Sequence, residues 1–367
     1  MNRRLLTVVA GACGLLLGLS ALQEARACTD FLIKSKDGAV IVGRSLEFGM
    51  VLPTQLAVHP RGEANQSDAP DGKKGLAWTS KHGYLAAESL GGAVDGLNEK
   101  GLSVGFLYLP GYAEYQDKDA AKDPENALSI LALGAWLLGN FENADEVLKM
   151  VPKFHVWGQA PNEGGLPVQP LHLAVHDAGG KSLVIEWVKG RLKIYDNDHL
   201  RVMTNSPPFD WHLINITNYL NLKAASAEPI KIGGSVLTPP GQGSGFLGIP
   251  GDWTPPSRLV RTAAMMYYAK QADNATEGVN LAAHILNAVD IPKGDVRPSD
   301  NSTKESDYTQ WIVVKDLTNK VLYFRTYDNP NLRVIDLKTQ DLTPGAKIKS
   351  LPIQTGRGIE DVGNQLK

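Results

Sequence analysis

The chain has 367 residues, with 37 Lys and Arg against 39 Asp and Glu, a formal net charge of −2 and 43% hydrophobic residues. With charges so balanced and no basic cluster, nucleic acid is not a partner, and the length suits one large domain or two ordinary ones. Its two cysteines, Cys13 and Cys28, leave little room for a disulfide framework.

Arg3 and Arg4 precede an apolar run from Leu5 to Leu22, and Ala25 and Ala27 are the small residues of an A-x-A peptidase site. This pattern reads as a secretory signal over residues 1–27, cut after Ala27 and directing the chain to a periplasm. A membrane anchor fits less well, because Gly11, Gly14 and Gly18 interrupt the run, so no stable membrane insertion is expected. A lipoprotein signal would carry a large aliphatic residue where Ala25 stands. Removing the signal leaves 340 residues, 28–367, read as a single domain with no linker and with Cys28 as its lone thiol. Cleavage would also give Cys28 a free α-amine, of pKa about 7.7–8.0, able to take the thiol's proton near neutral pH. One residue would then supply nucleophile and base. The alternative is a cysteine that merely follows the signal.

In chain order, residues 28–35 and 39–46 read as two strands joined at Asp37-Gly38, a tight-hairpin signal. A two-residue loop there places Cys28 opposite Glu47, puts Arg44 on the other face, and demands a bulge near Gly43 to turn Arg44 toward the thiol. Residues 61–74 read as a loop, 83–89 as a strand, and Val94 to Tyr108 as strand, turn, strand, ending at Pro110-Gly111. A helix is predicted from Asp123-Pro124 with Leu128, Leu131, Ala135 and Leu138 on one stripe, and a second after Asn143 with Glu146 completing a capping box.

Strands are predicted over 171–175, 183–188 and 192–195. His172 and His176 lie four apart there, a zinc spacing on a helix but not on a strand, and no third ligand is evident, so no metal is expected. Asn205 ends a strand in Thr204-Asn205-Ser206-Pro207, either as a turn residue or as a functional one. Residues 233–256 read as a Gly- and Pro-rich surface loop, whose glycines lack the lysine of a phosphate cradle. A helix follows from Ser257. Arg258 and Arg261 occupy its first turn, where the helix dipole disfavours cations, so they either reach past the helix end to solvent or serve another purpose. Strands over 311–314 and 321–327 complete a layered α+β order with antiparallel sheets.

Cys28-Thr29, Gly43-Arg44-Ser45-Leu46-Glu47, Asp95 to Leu102, Thr204 to Pro207, Ser257 to Arg261 and Thr326-Tyr327-Asp328-Asn329 together resemble the choloylglycine hydrolase family of bile salt hydrolases and penicillin V acylases. The resemblance spans almost the whole chain after residue 27. It implies an αββα sandwich, two antiparallel sheets between helix layers, with linear amides hydrolysed through an acyl-enzyme, without cofactor or metal, by enzymes that are often homotetramers. The family's nucleophile corresponds to Cys28, its arginine near the thiol to Arg44, its asparagine at the oxyanion to Asn205 and its second arginine to Arg258. Its aspartate beside the amine falls on Glu47, a departure that keeps the charge and lengthens the arm. Tyr108 stands where bile salt hydrolases carry asparagine and penicillin V acylases tyrosine, which implies an oxyanion contact from its backbone N–H. Phe48 and Tyr108 are the expected aromatic walls of an acyl pocket. The expected substrate is a small acyl amide, penicillin V or an N-acyl homoserine lactone, with conjugated bile salts as the alternative. A lipid-anchored or free binding protein is the reading from another class.

Overall fold

Cys28–Lys34 (β1) and Val40–Phe48 (β2) form the first hairpin, and every residue of β2 is buried. The computed structural model of the chain describes residues 27–162, 165–299, 306–356, 358 and 363. The export signal expected over 1–27 therefore lies outside the described residues, except for Ala27. After β2 come Gln55–His59 (β3) and a small ribbon of Ala64–Asp68 (β4) with Lys74–Thr79 (β5). Tyr84–Ser89 (β6), Gly92–Asn98 (β7) and Ser103–Tyr108 (β8) form a meander. A helical stretch holds Asp117–Lys122 (α1), Ile130–Asn140 (α2) and Ala144–Met150 (α3), with Ala127–Ser129 (β9) paired to His155–Trp157 (β10). Leu171–His176 (β11), Ser182–Val188 (β12), Arg191–Asp196 (β13) and Val202–Met203 (β14) lead to Phe209–Asn215 (α4). An exposed hairpin of Ile230–Ile232 (β15) and Ser235–Leu237 (β16) precedes Pro255–Tyr268 (α5) and Ala275–Asn287 (α6). Tyr308–Asp316 (β17), Val321–Thr326 (β18), Asn329–Asp336 (β19) and Lys349–Pro352 (β20) close the fold.

Two antiparallel sheets result, in the orders β14-β1-β2-β17-β18-β19 and β13-β12-β11-β8-β7-β6-β3-β20. Strand alternation assigns the layers. On β1 and β2, Leu32, Val42, Leu46 and Phe48 turn to the second sheet, where they pack with Leu56, Leu85, Leu97 and Leu107. Phe31, Ile33 and Ile41 point the other way, onto Leu259 of α5 and Ala282 and Leu286 of α6. On the outer face of the second sheet, Val104 and Phe106 meet Leu133 and Leu137 of α2. The molecule is the four-layer α+β sandwich that was expected.

Several local expectations change: within stretches read as loops, residues 64–68 form β4 and 235–237 form β16. The first hairpin has a three-residue loop: Ser35 N–H bonds Ala39 O at 2.9 Å, and Gly38 takes a left-handed φ of 87°, as loops of this length require. Cys28 therefore pairs with Leu46 rather than Glu47, and the ladder runs unbroken to Lys34 opposite Val40. No bulge occurs at Gly43. Its missing side chain instead admits the Phe31 ring, whose Cζ lies 2.5 Å from where a Cβ would sit. The helix expected from Asp123 begins at Ile130, capped by the Ser129 hydroxyl. Pro124–Asn126 is a single 3₁₀ turn, and Leu128 lies in β9. The capping box after Asn143 forms in part: Asn143 accepts from Glu146 N–H, while Glu146 accepts from Glu142 N–H. No helix among the described residues is long and apolar enough to cross a membrane.

Candidate active site

The one-residue change of register decides the first contact. With Asp30 opposite Arg44, Arg44 lies on the same face of the sheet as Cys28 and needs no bulge. Its Nη2 stands 3.9 Å from Cys28 Sγ and also donates to Phe106 O. Its guanidinium is stacked 5.0 Å over Trp311, and its Nε lies 3.5 Å from Asp95 Oδ2. Burial pushes the Cys28 thiol up, and Arg44 is the largest influence holding it down, as desolvation and a nearby cation require.

The main-chain nitrogen of Cys28 is held by a side chain. Cys28 N donates to Asn205 Oδ1 at 2.6 Å, and Arg258 Nη2 donates to the same oxygen at 2.7 Å. Arg258 Nη1 reaches Cys28 O at 2.6 Å and Thr29 Oγ1 at 2.7 Å, and its Nε donates to Trp253 O at 3.0 Å. Burying a guanidinium costs several kcal/mol, offset here by these charge-assisted bonds. Arg258 is fully buried, so the helix dipole it opposes is outweighed by local partners. Arg261 takes the other course, donating to Ala288, Pro250 and Asp252 carbonyls and stacking on Trp253. Asn205 Nδ2 gives one N–H to Tyr108 O at 2.8 Å and has a second to give. Asn205 O is in turn bound by His212 Nε2 at 2.9 Å, and burial pulls His212 down to about 4.

Glu47 lies on the opposite face of β2 from Arg44, toward the helices, and Thr309 Oγ1 donates to its Oε1 at 2.9 Å. Its backbone N–H bonds Ala27 O at 2.9 Å, so it sits at the point where the chain enters β1. Burial raises its carboxyl from the ordinary 4.5 to about 7, against the opposing pull of Arg258. A carboxyl raised on folding binds its proton more tightly when folded. Its contribution to stability is thus complete below about pH 4.5 and lost as pH rises to about 7. In a chain that still carries Ala27, Glu47→Gln is expected to flatten the decline in urea midpoint across that interval. An unchanged slope would show that Glu47 does not titrate there. Phe48 and Tyr108 meet edge-on with ring centroids 6.5 Å apart.

The structure thus gathers Cys28, Arg44, Asn205, Arg258 and Tyr108 around one strand end, with Glu47 behind it and Phe48 beside it. The sequence reading missed the charges between the sheets. Asp30 pairs with His176 at 2.6 Å, and Asp95 with Lys315 at 2.8 Å, all four buried. Gly105 makes room for them: a Cβ there would lie 2.9 Å from Asp30 Oδ2, 3.1 Å from Asp95 Oδ2 and 3.2 Å from Arg44 Cδ. The available signal was a charge at an inward position of an otherwise apolar strand, at Asp30 and at Lys315. His172 likewise bonds Glu186 at 2.9 Å, so each histidine of the four-residue pair is taken by a carboxylate. The rest of the Asp95 to Leu102 motif is architectural. Asn98 Nδ2 bonds the carbonyls of Leu138 and Phe141, and its Oδ1 accepts from Lys100 and Leu102, tying the β7-β8 turn to the end of α2.

Residues 28–353 match the family model described as linear amide C–N hydrolases, choloylglycine hydrolase family. The chain is 31% identical over 329 residues to a bile salt hydrolase/transferase of Clostridium perfringens, covering 88% of this chain and 96% of that one. It is 28% identical to a penicillin V acylase of Pectobacterium atrosepticum, covering 94% and 89%. Among solved structures, a variant of the conjugated bile acid hydrolase from Clostridium perfringens superposes with a TM-score of 0.80 at 30% identity, covering 91% of this chain and all of that one. Penicillin V acylase from Agrobacterium tumefaciens does so at 0.72 and 26% identity, covering 93% and 97%. The sandwich is accordingly the N-terminal nucleophile hydrolase fold, and the chain belongs to the choloylglycine hydrolase family of linear amide C–N hydrolases.

Proposed function

We propose that the chain is exported to a periplasm, cut after Ala27, and hydrolyses acyl amides such as penicillin V or N-acyl homoserine lactones with Cys28 as nucleophile. The observation that carries this reading is the shared acceptor: Asn205 Oδ1 accepts from Cys28 N at 2.6 Å and from Arg258 Nη2 at 2.7 Å. Were that nitrogen a free amine, the nearby positive charge would favour its unprotonated form. It would then take the thiol's proton, and the sulfur would attack the acyl carbonyl. The proton passes to the leaving nitrogen as the C–N bond breaks, and water hydrolyses the thioester. The second Asn205 N–H and the Tyr108 backbone N–H are the proposed donors to the oxyanion. Glu47 and Arg44 tune the amine and the thiol. The match to the family begins at Cys28, which supports this start.

The acyl group would meet the Phe48 and Tyr108 rings, which suit a phenoxy ring or alkyl chain better than a rigid steroid. Phenoxyacetyl amides and medium or long acyl homoserine lactones are therefore expected to show higher kcat/KM than glycine- or taurine-conjugated bile salts. Assay of all three on the purified protein at one pH decides it, and a higher bile-salt value would refute the acyl-pocket reading. The mass of the N-terminal peptide separates this enzyme from a lipid-anchored binding protein, which would carry lipid on Cys28. Assembly as a homotetramer is part of the same proposal. The exposed Ile230, Ile232, Val236 and Leu237 of the β15-β16 hairpin are apolar surface that assembly would cover.

A further inference from the structure

β17 carries one residue more than its pairing with β2 uses. Thr309 pairs with Glu47 and Trp311 with Leu46, which leaves Gln310 as the extra residue of a bulge. Bulges beside active sites re-aim a side chain. Here the buried Gln310 carboxamide is directed along the end of β2 to the turn that follows it. Its Nε2 donates to Phe48 O at 3.0 Å and Met50 O at 2.6 Å, and its Oε1 accepts from Leu52 N at 2.9 Å. Two carbonyls can face only N–H donors, so the amide has one possible orientation and both its donors are used. The backbone carbonyl of Gln310 is also engaged, by Tyr327 N–H at 3.0 Å.

Phe48 and Leu52 belong to the same apolar cluster as Cys28, and Phe48 is the ring that meets Tyr108. On this turn the side chains of Met50 and Val51 stand 46% and 66% exposed. β2 ends at Phe48, so past that residue the turn has left the β2 ladder, and Gln310 ties it down at Met50 and Leu52. We infer that Gln310 is a positioning residue that sets acyl-group selectivity, by holding the Phe48 to Leu52 turn as an apolar wall against the substrate's acyl chain. This rests on the acyl-amide reading above and adds to it a residue that never touches substrate.

The test uses the mature enzyme and two variants. Gln310→Met keeps length and loses all three bonds, and Gln310→Glu keeps an acceptor for Leu52 N–H but loses both donors. Substrates are amides of one amine carrying phenoxyacetyl, short-chain and long-chain acyl groups. In Gln310→Met, KM for the long-chain amide is expected to rise about tenfold, the order of a lost pocket contact, with less change for the short chain. Turnover should stay within about twofold, because the wall acts in ground and transition states alike. The rate of Cys28 alkylation by iodoacetamide should also be unchanged. A rise in KM equal for all acyl groups, or an equal fall in kcat, would overturn the inference. Amide exchange at Leu52 reads the clamp independently of turnover. It should be fastest in Gln310→Met and intermediate in Gln310→Glu, and protection equal to wild type in both variants would overturn the clamp. Wild-type enzyme that cleaves none of the amides removes the acyl-amide reading itself, whereas normal turnover with unaltered selectivity in both variants removes the role of Gln310 alone.

Discussion

Protein that retains Ala27 ahead of Cys28 is expected to be inactive. In such a chain the nitrogen of Cys28 is a peptide amide, which still donates to Asn205 Oδ1 but whose lone pair is delocalised into the carbonyl and cannot accept the thiol's proton. Burial holds that thiol up. Among the described residues, the side chain shown at the sulfur is Arg44, and the nearby histidines are engaged elsewhere, His176 with Asp30, His172 with Glu186 and His212 with Asn205 O. Loss of the general base removes about 10²–10⁴-fold in rate, and the buried neutral thiol adds to that. Chains starting at Ala27 and at Cys28 can be prepared side by side and compared by initial rate on one amide. Cys28→Ala supplies the floor. Comparable activity in the two chains would mean that the α-amine is not the base.

Asn205→Ala is expected to lower kcat on the order of a hundredfold or more, about 2.7–4 kcal/mol for one oxyanion donor. The geometry gives a reason for the upper part of that range. The same carboxamide accepts from Cys28 N and Arg258 Nη2 and donates to Tyr108 O, so its loss also frees the Cys28 nitrogen and takes one of four partner atoms from a buried cation. Asn205→Asp would keep the acceptor and lose the donor, and is expected to retain the amine's position while losing most turnover. Turnover within about threefold of wild type in Asn205→Ala, with binding intact, would reduce Asn205 to a turn residue.

Much of the fold was legible in the chain itself. Loose alternation over residues 28–35 and short apolar runs in the later strands, interrupted by Gly and Asn turns, point to layered antiparallel sheets. The helix after Asn143 announced itself through its cap, whereas the helix placed from Ser257 begins at Pro255, inside the stretch read as loop. The helix start at Ile130 was hidden, because Asp123-Pro124 is as good a signal for a single 3₁₀ turn as for a helix, and β9 owes its strand form to pairing with β10. The site was legible as residue types in order, but the side each residue faces was not. One residue in the loop between β1 and β2 inverts which of Arg44 and Glu47 lies beside the thiol.

The sequence by itself determined the composition of the site, Cys28 followed by arginines, an acid and an asparagine, because chemistry of this kind depends on residue identity. Tertiary structure alone decided the rest. It carried Arg258 from α5 back to Cys28 and Asn205, 230 and 53 residues away. It set Asp30 against His176 and Asp95 against Lys315 between the sheets. It also turned Gln310 onto the β2 turn through a bulge. Those pairings are long-range, and a buried charge or carboxamide settles where three-dimensional packing offers it a partner, which no local pattern in the chain encodes.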